Sequence, residues 1–196
     1  MRKALATINS KQMTKLATTT ITLIFLLLAN FVYSQKEDLS DSSKIIYVEQ
    51  IKNLDDLFSK FKGHIVYIDF WASWCGSCIE EFTKDPELDM FLKSNNIIRL
   101  YIALEKTEKD STLILKSMER WKTLVNKYDL EGYNYYVQLR SPFFSGITEK
   151  IMKGKLSLPR YSIVDENGVI VEENAKRPSN IKGLIKQLSG YIEDKN

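Results

Sequence analysis

The sequence predicts one α/β domain with a central sheet flanked by helices, and three features carry that reading. Ile65 to Trp71 is the densest apolar run of the body, broken only by Asp69 and without alternation, as in a central strand buried on both faces. Strand-like runs alternate with segments of helical spacing from Ile45 to Met152. Glu166-Asn167-Gly168 then separates two short β-like runs, and Asn-Gly is a hairpin signal. At 196 residues and 44% hydrophobic, the chain has room for one such domain plus an appendage, and wholesale disorder is excluded.

In chain order, Ile45 to Val48 is a short strand. Asn53 opens a helix whose Leu54, Leu57, Phe58 and Phe61 share one face, and Gly63-His64 ends it. After the Ile65–Trp71 strand a helix is expected from about Gly76, ended or kinked at Asp85-Pro86. Glu80 and Glu81 would then stand in its first turn, where acids are favoured. Leu88, Phe91 and Leu92 restart a helical face. Ile97 to Leu104 reads as the next strand, Ser111 to Tyr128 as a helix, Tyr135 to Leu139 as a short strand and Phe143 to Met152 as a helix. The hairpin of Arg160–Asp165 and Val169–Glu172 follows. Ile181, Leu184, Ile185, Leu188 and Ile192 make a closing amphipathic helix. The aromatic cluster of Tyr133, Tyr135, Tyr136, Phe143 and Phe144 reads as core packing ahead of a docking surface.

Four of the 28 bases, Arg2, Lys3, Lys11 and Lys15, lie in residues 1–34 with no acid among them. The remaining 24 bases face all 25 acids, a balance of −1, which argues against a nucleic-acid partner. Ile21 to Val32 is a 12-residue apolar run after those lysines, too short for a spanning helix and of secretory-signal dimensions. Residues 1–34 are therefore expected to be a signal peptide, with Ser34 before the cut; a start at Met13 would make it compact. Residues 35–43 form a polar lead-in, and 44–196 the domain. An uncleaved leader would tether the domain to a membrane. Either way the domain is expected outside the cytoplasm.

The chemistry is concentrated in Asp69-Phe70-Trp71-Ala72-Ser73-Trp74-Cys75-Gly76-Ser77-Cys78. Two cysteines three apart, where a buried strand gives way to a helix, place the sulfurs one turn apart. A thiolate at the helix start is stabilised by free N–H groups, and the thiolate is the reactive form. Cys75 can then attack and Cys78 release through a mixed disulfide. Two other readings are an inert crosslink, worth roughly 2 kcal/mol of loop entropy, and half of a metal site. With only two cysteines and one histidine, His64, a four-ligand zinc site would need carboxylates.

This stretch resembles the active-site motif of the thioredoxin superfamily. Ser157-Leu158-Pro159-Arg160-Tyr161 before the hairpin, Arg177-Pro178-Ser179 near the end, and the leader resemble its extracytoplasmic TlpA, ResA and DsbE group. The resemblance implies a thioredoxin fold with a central mixed sheet. A helix and strand are inserted between the active-site helix and a cis-proline, around residues 105 to 150. It implies Cys75 as nucleophile, Cys78 as resolving cysteine and Asp69 as the base that moves the Cys78 proton. It also implies Pro159 in cis, preceded by Leu158, as part of a substrate groove with Trp74 beside it, and Trp71 as packing. Glu81 matches an acid that recurs in the group, whereas the proline usual two residues later is Thr83 here.

The function these readings imply is thiol–disulfide exchange with proteins of a bacterial envelope, without cofactor or metal beyond the Cys75–Cys78 disulfide. With no histidine between the cysteines and Glu80 and Glu81 nearby, a reducing or intermediate potential is expected. The partners would be oxidised envelope proteins, with apocytochrome c a candidate, and a membrane thiol-transferring electron donor. The competing classes are a peroxide-reducing thiol enzyme, a copper-delivery module and a redox-inactive interaction domain. The first resembles a pattern with a lone cysteine preceded by Thr-x-x, which neither cysteine here shows.

Overall fold

The computed structural model describes residues 44–48, 52–82 and 86–193. The expected signal peptide, the 35–43 lead-in, residues 83–85 and the last three residues lie outside the described residues.

Six strands form one mixed sheet. They are β1 (Ile45–Val48), β2 (Val66–Trp71), β3 (Ile98–Glu105), β4 (Gly132–Gln138), β5 (Arg160–Val164) and β6 (Ile170–Glu172). The order across the sheet is β1-β4-β3-β2-β5-β6. β1, β4, β3 and β2 run parallel, β5 pairs antiparallel with β2, and β6 pairs antiparallel with β5. Six helices connect them: α1 (Leu54–Lys60), α2 (Gly76–Glu80), α3 (Pro86–Ser94), α4 (Ser111–Lys127), α5 (Pro142–Lys150) and α6 (Ile181–Glu193). A 3-10 turn, Pro178–Asn180, leads into α6. None of the described helices is long and apolar enough to cross a membrane.

This is the mixed sheet flanked by helices of the thioredoxin fold, with β4 and its helices filling the expected insertion between α2 and Pro159. β2 is central, as its unbroken apolar run predicts, and every residue in it is buried. Its alternate side chains go to two cores. Val66, Ile68 and Phe70 pack with α1 and α5, through Leu57, Phe58, Ile147 and Ile151. On the other face Tyr67 joins the cluster of Leu88, Leu92, Leu184 and Leu188 from α3 and α6. Trp71 joins a second cluster with Cys78, Phe82, Trp121 and Val125. Tyr133, Tyr135 and Phe143 are buried in the first core, so most of the aromatic cluster is packing.

Two boundaries differ from the sequence reading. α2 stops after five residues, with Glu81 as its C-cap, and Pro86 starts α3 instead of kinking a continuing helix. A proline is well placed in a first turn, where its missing N–H has no partner to lose. Glu80 and Glu81 consequently close α2, and no acid stands in its first turn. β4 begins at Gly132, three residues before the expected Tyr135. Gly132 has φ 116°, and a Cβ there would stand 2.5 Å from the Arg99 carbonyl oxygen, so only glycine fits this close approach of β4 to β3.

Candidate active site

The site is assembled where the sheet changes from parallel to antiparallel pairing. β2 ends at Trp71, and the chain turns through Ala72-Ser73-Trp74 into Cys75, the N-cap of α2. The Cys75 N–H donates to the Ala72 carbonyl at 3.0 Å, which sets that turn. Because β5 runs antiparallel to β2, with Arg160 opposite Phe70, the start of β5 lies beside the end of β2. Pro159 immediately precedes Arg160, and the Leu158–Pro159 peptide is cis, the isomer the resemblance implies. Leu158 packs against the cluster that holds both cysteines.

Cys75 and Cys78 are joined by a disulfide, with Cα atoms 5.3 Å apart. Both cysteines are buried, but Cys75 keeps 8% of its surface exposed and Cys78 keeps none. The Cys75 Sγ accepts from the Cys78 N–H at 3.2 Å, and the Ser77 hydroxyl stands 3.6 Å from it. With only five residues α2 has a small dipole, so these adjacent donors are what would stabilise a thiolate here. Trp74, 42% exposed, stands next to Cys75, while Trp71 is wholly buried edge-on to Phe82.

Asp69 lies on the same face of β2 as Trp71, two residues before it, among aromatic neighbours. Its register partners are Tyr101 on β3 and Tyr161 on β5. Neither carboxylate oxygen has a hydrogen-bond partner among the described residues, nor does the Tyr161 hydroxyl. Burial is the main force on this carboxyl and pushes its pKa up to about 8; Arg99 pulls it back and Glu81 adds to the rise. An ionised carboxylate without donors is costly in such a place, so the neutral acid is the resting form below that pH. Arg99 lies on β3 opposite Tyr67, pairs with Asp89 at 3.1 Å and covers the Tyr101 ring at 5.1 Å.

Glu81 is not the free acid the sequence suggests. Its carboxylate accepts from the Ser179 N–H and hydroxyl, both at 2.9 Å, and pairs with Arg177 at 3.3 Å. The Arg177-Pro178-Ser179 segment thus pins the end of α2, and the charge of Glu81 is largely answered before it reaches the cysteines.

Sequence reasoning missed Glu105. This buried residue ends β3, and its carboxylate accepts from the Ser73 N–H at 2.6 Å and the Ser73 hydroxyl at 2.8 Å. It therefore holds the loop that carries Trp74 and Cys75. Burial raises its pKa, against the lowering effect of those two bonds. Glu105→Gln replaces a double acceptor by an amide that meets one donor with another. The expected cost is about 1–3 kcal/mol in urea unfolding, with altered Trp74 fluorescence; an unchanged midpoint would show that Ser73 does not depend on this carboxylate.

A family model described as Redoxin matches residues 48–188. The chain belongs to the Redoxin family. Among curated relatives, this redoxin is 25% identical over 167 residues to thiol-disulfide oxidoreductase ResA of Bacillus thuringiensis subsp. konkukian, covering 83% of this chain and 82% of that one. Among solved structures it is similar to the thioredoxin domain of a thiol-disulfide oxidoreductase from Bacteroides vulgatus, at 19% identity and TM-score 0.46, covering 68% and 83% of the two chains. A thiol:disulfide interchange protein from Bacteroides sp. gives 17% identity and TM-score 0.46, covering 68% and 76%. The expectation of a thioredoxin-superfamily thiol–disulfide oxidoreductase similar to ResA is borne out at the level of family. The redoxin's Cys75 and Cys78 are a CXXC-spaced pair, joined by a disulfide.

Proposed function

We propose that this redoxin works outside the cytoplasm as a reductant of protein disulfides, with Cys75 as the attacking sulfur and Cys78 as the resolving one. The supporting observation is the graded burial of the pair: Cys75, next to the exposed Trp74, keeps 8% of its surface accessible, while Cys78 is enclosed. In the dithiol form, the Cys75 thiolate attacks a substrate disulfide. The substrate S–S bond breaks, a Cys75–substrate disulfide forms, and the other substrate sulfur leaves as a thiolate and takes a proton. Cys78, losing its proton to Asp69 in the fraction of molecules where that carboxyl is ionised, a fraction that grows as pH rises toward 8, then displaces the substrate sulfur from Cys75. Two electrons pass from the chain's dithiol to the substrate. Trp74, Leu158 and the Pro159 edge form the groove in which an extended substrate segment would lie.

The leader places the domain in a bacterial envelope on this reading, where oxidised envelope proteins, apocytochrome c among them, would be substrates. A membrane thiol-transferring protein would return the electrons. No cofactor beyond the disulfide enters the cycle. The copper-delivery alternative loses its histidine: His64 precedes the N-terminal end of β2, whereas the cysteines follow its C-terminal end.

Insulin reduction with dithiothreitol as donor tests this function, with turbidity accelerated by the intact protein. The Cys75–Cys78 couple is expected at about −180 mV or below, because neither Gly76 nor Ser77 can stabilise a thiolate as an imidazolium would. A value near about −120 mV, that of the strongest periplasmic oxidants, would contradict the direction assigned.

A further inference from the structure

We propose that the surface beside Trp74 selects protein substrates that carry acidic side chains next to the disulfide presented to Cys75; this rests on the thiol-exchange reading above and names its substrate class. Trp74 forms one wall of a groove of about 210 Å³ whose other walls are the end of β3 and the outer face of α4. Three cations line it: Lys106 just past β3, and Lys116 and Arg120 on α4. Lys116 and Arg120 are four apart and so project from one helix face. All three are exposed, and among the described residues no salt bridge engages them.

Two acids share the groove, and they are not equivalent. Glu105 is buried, with both oxygens bonded to Ser73, and its carboxylate also feels the charges of Lys106 and Arg120. Glu108 is the second acid, and it is partly exposed. Three cations against two acids leave a local excess of one positive charge, in a chain that balances to −1 outside residues 1–34. Leu113, one turn before Lys116 and 46% exposed, adds an apolar contact to the same groove. A polypeptide laid across Trp74 with its cysteine at Cys75 would therefore meet cations and one apolar contact on entering this groove. Acidic neighbours are the side chains such a surface attracts and basic ones those it repels.

The chemistry of each encounter is one exchange. The Cys75 thiolate attacks the substrate cysteine's sulfur, the original S–S bond breaks as the new one forms, and the displaced group departs as a thiolate. The test uses reduced Cys78→Ser protein, which stops at that step. It is mixed with three synthetic peptides whose single cysteine is held in a disulfide with 5-thio-2-nitrobenzoate and is flanked by two Asp, two Asn or two Lys. Release of the coloured thiolate gives the second-order rate. The Asp peptide is expected to react roughly 10-fold faster than the Lys peptide at low ionic strength, with the gap closing at about 0.5 M salt. Lys106→Glu, Lys116→Glu and Arg120→Glu together reverse the order, and Lys116→Glu or Arg120→Glu singly narrows it. Equal rates for the three peptides would overturn the inference and leave thiol exchange standing, as would an Asp preference that persists in all the variants. Failure of every peptide to react would remove both.

Discussion

Asp69→Asn is expected to make the oxidised protein more stable at pH 8 while giving no gain near pH 4. The folded carboxyl titrates at about 8 against an ordinary 3.8, chiefly because it is buried. Between those values the folded chain holds a proton that the unfolded chain has released, so wild-type stability falls as pH rises through that window and levels off above it. At about 1.4 kcal/mol per pKa unit the ceiling is several kcal/mol, and relaxation around the site lowers what is realised. Asparagine keeps the shape and cannot ionise, so the variant escapes that loss. Urea unfolding at pH 4, 6 and 8 checks this: the variant's advantage should grow across the series. A constant difference would mean that Asp69 does not titrate in the window. The same substitution separates stability from chemistry. If Asp69 takes the Cys78 proton, the variant is more stable and yet slower in the resolving step, and its rate loses the inflection near pH 8.

Cys75→Ser is expected to bring insulin reduction down to the background of dithiothreitol alone. Cys75 is the less buried of the two cysteines, and the Cys78 N–H and Ser77 hydroxyl stand ready to steady its thiolate. Cys78, enclosed among Trp71, Phe82 and Trp121, has no approach for a protein substrate. The loss should arise with little change in fold, since the disulfide closes a short loop worth roughly 2 kcal/mol of chain entropy. Activity retained in the Cys75→Ser protein would transfer the nucleophile's role to another group.

The features that made the fold and site legible were local ones. Ile65–Trp71 has no alternation because β2 is covered on both faces, and that alone marks it as central. The hairpin was marked by Asn167-Gly168, where Gly168 takes φ 85°. Cysteine spacing and the strand before it located the disulfide. What stayed hidden depends on partners far along the chain. Glu105 looks like the polar end of a strand until it is seen holding Ser73, 32 residues away. Glu81 looks like a free acid beside a thiolate until Arg177 and Ser179 fold over it. β4 began early because Asn134 reads as a loop residue, although its side chain is buried and donates to the Leu130 and Gly132 carbonyls. The early end of α2 could not be read either, because helical spacing continues through Phe82 while Pro86 starts a separate helix.

The central assignment, an outer sulfur that attacks and an inner one that resolves, is tested most directly by trapping. Cys78→Ser protein should accumulate as a covalent adduct with an oxidised protein substrate, visible on a non-reducing gel, dissolved by dithiothreitol and absent when Cys75 is also replaced. No adduct from Cys78→Ser, under conditions where an established exchanger is trapped, would contradict the assignment.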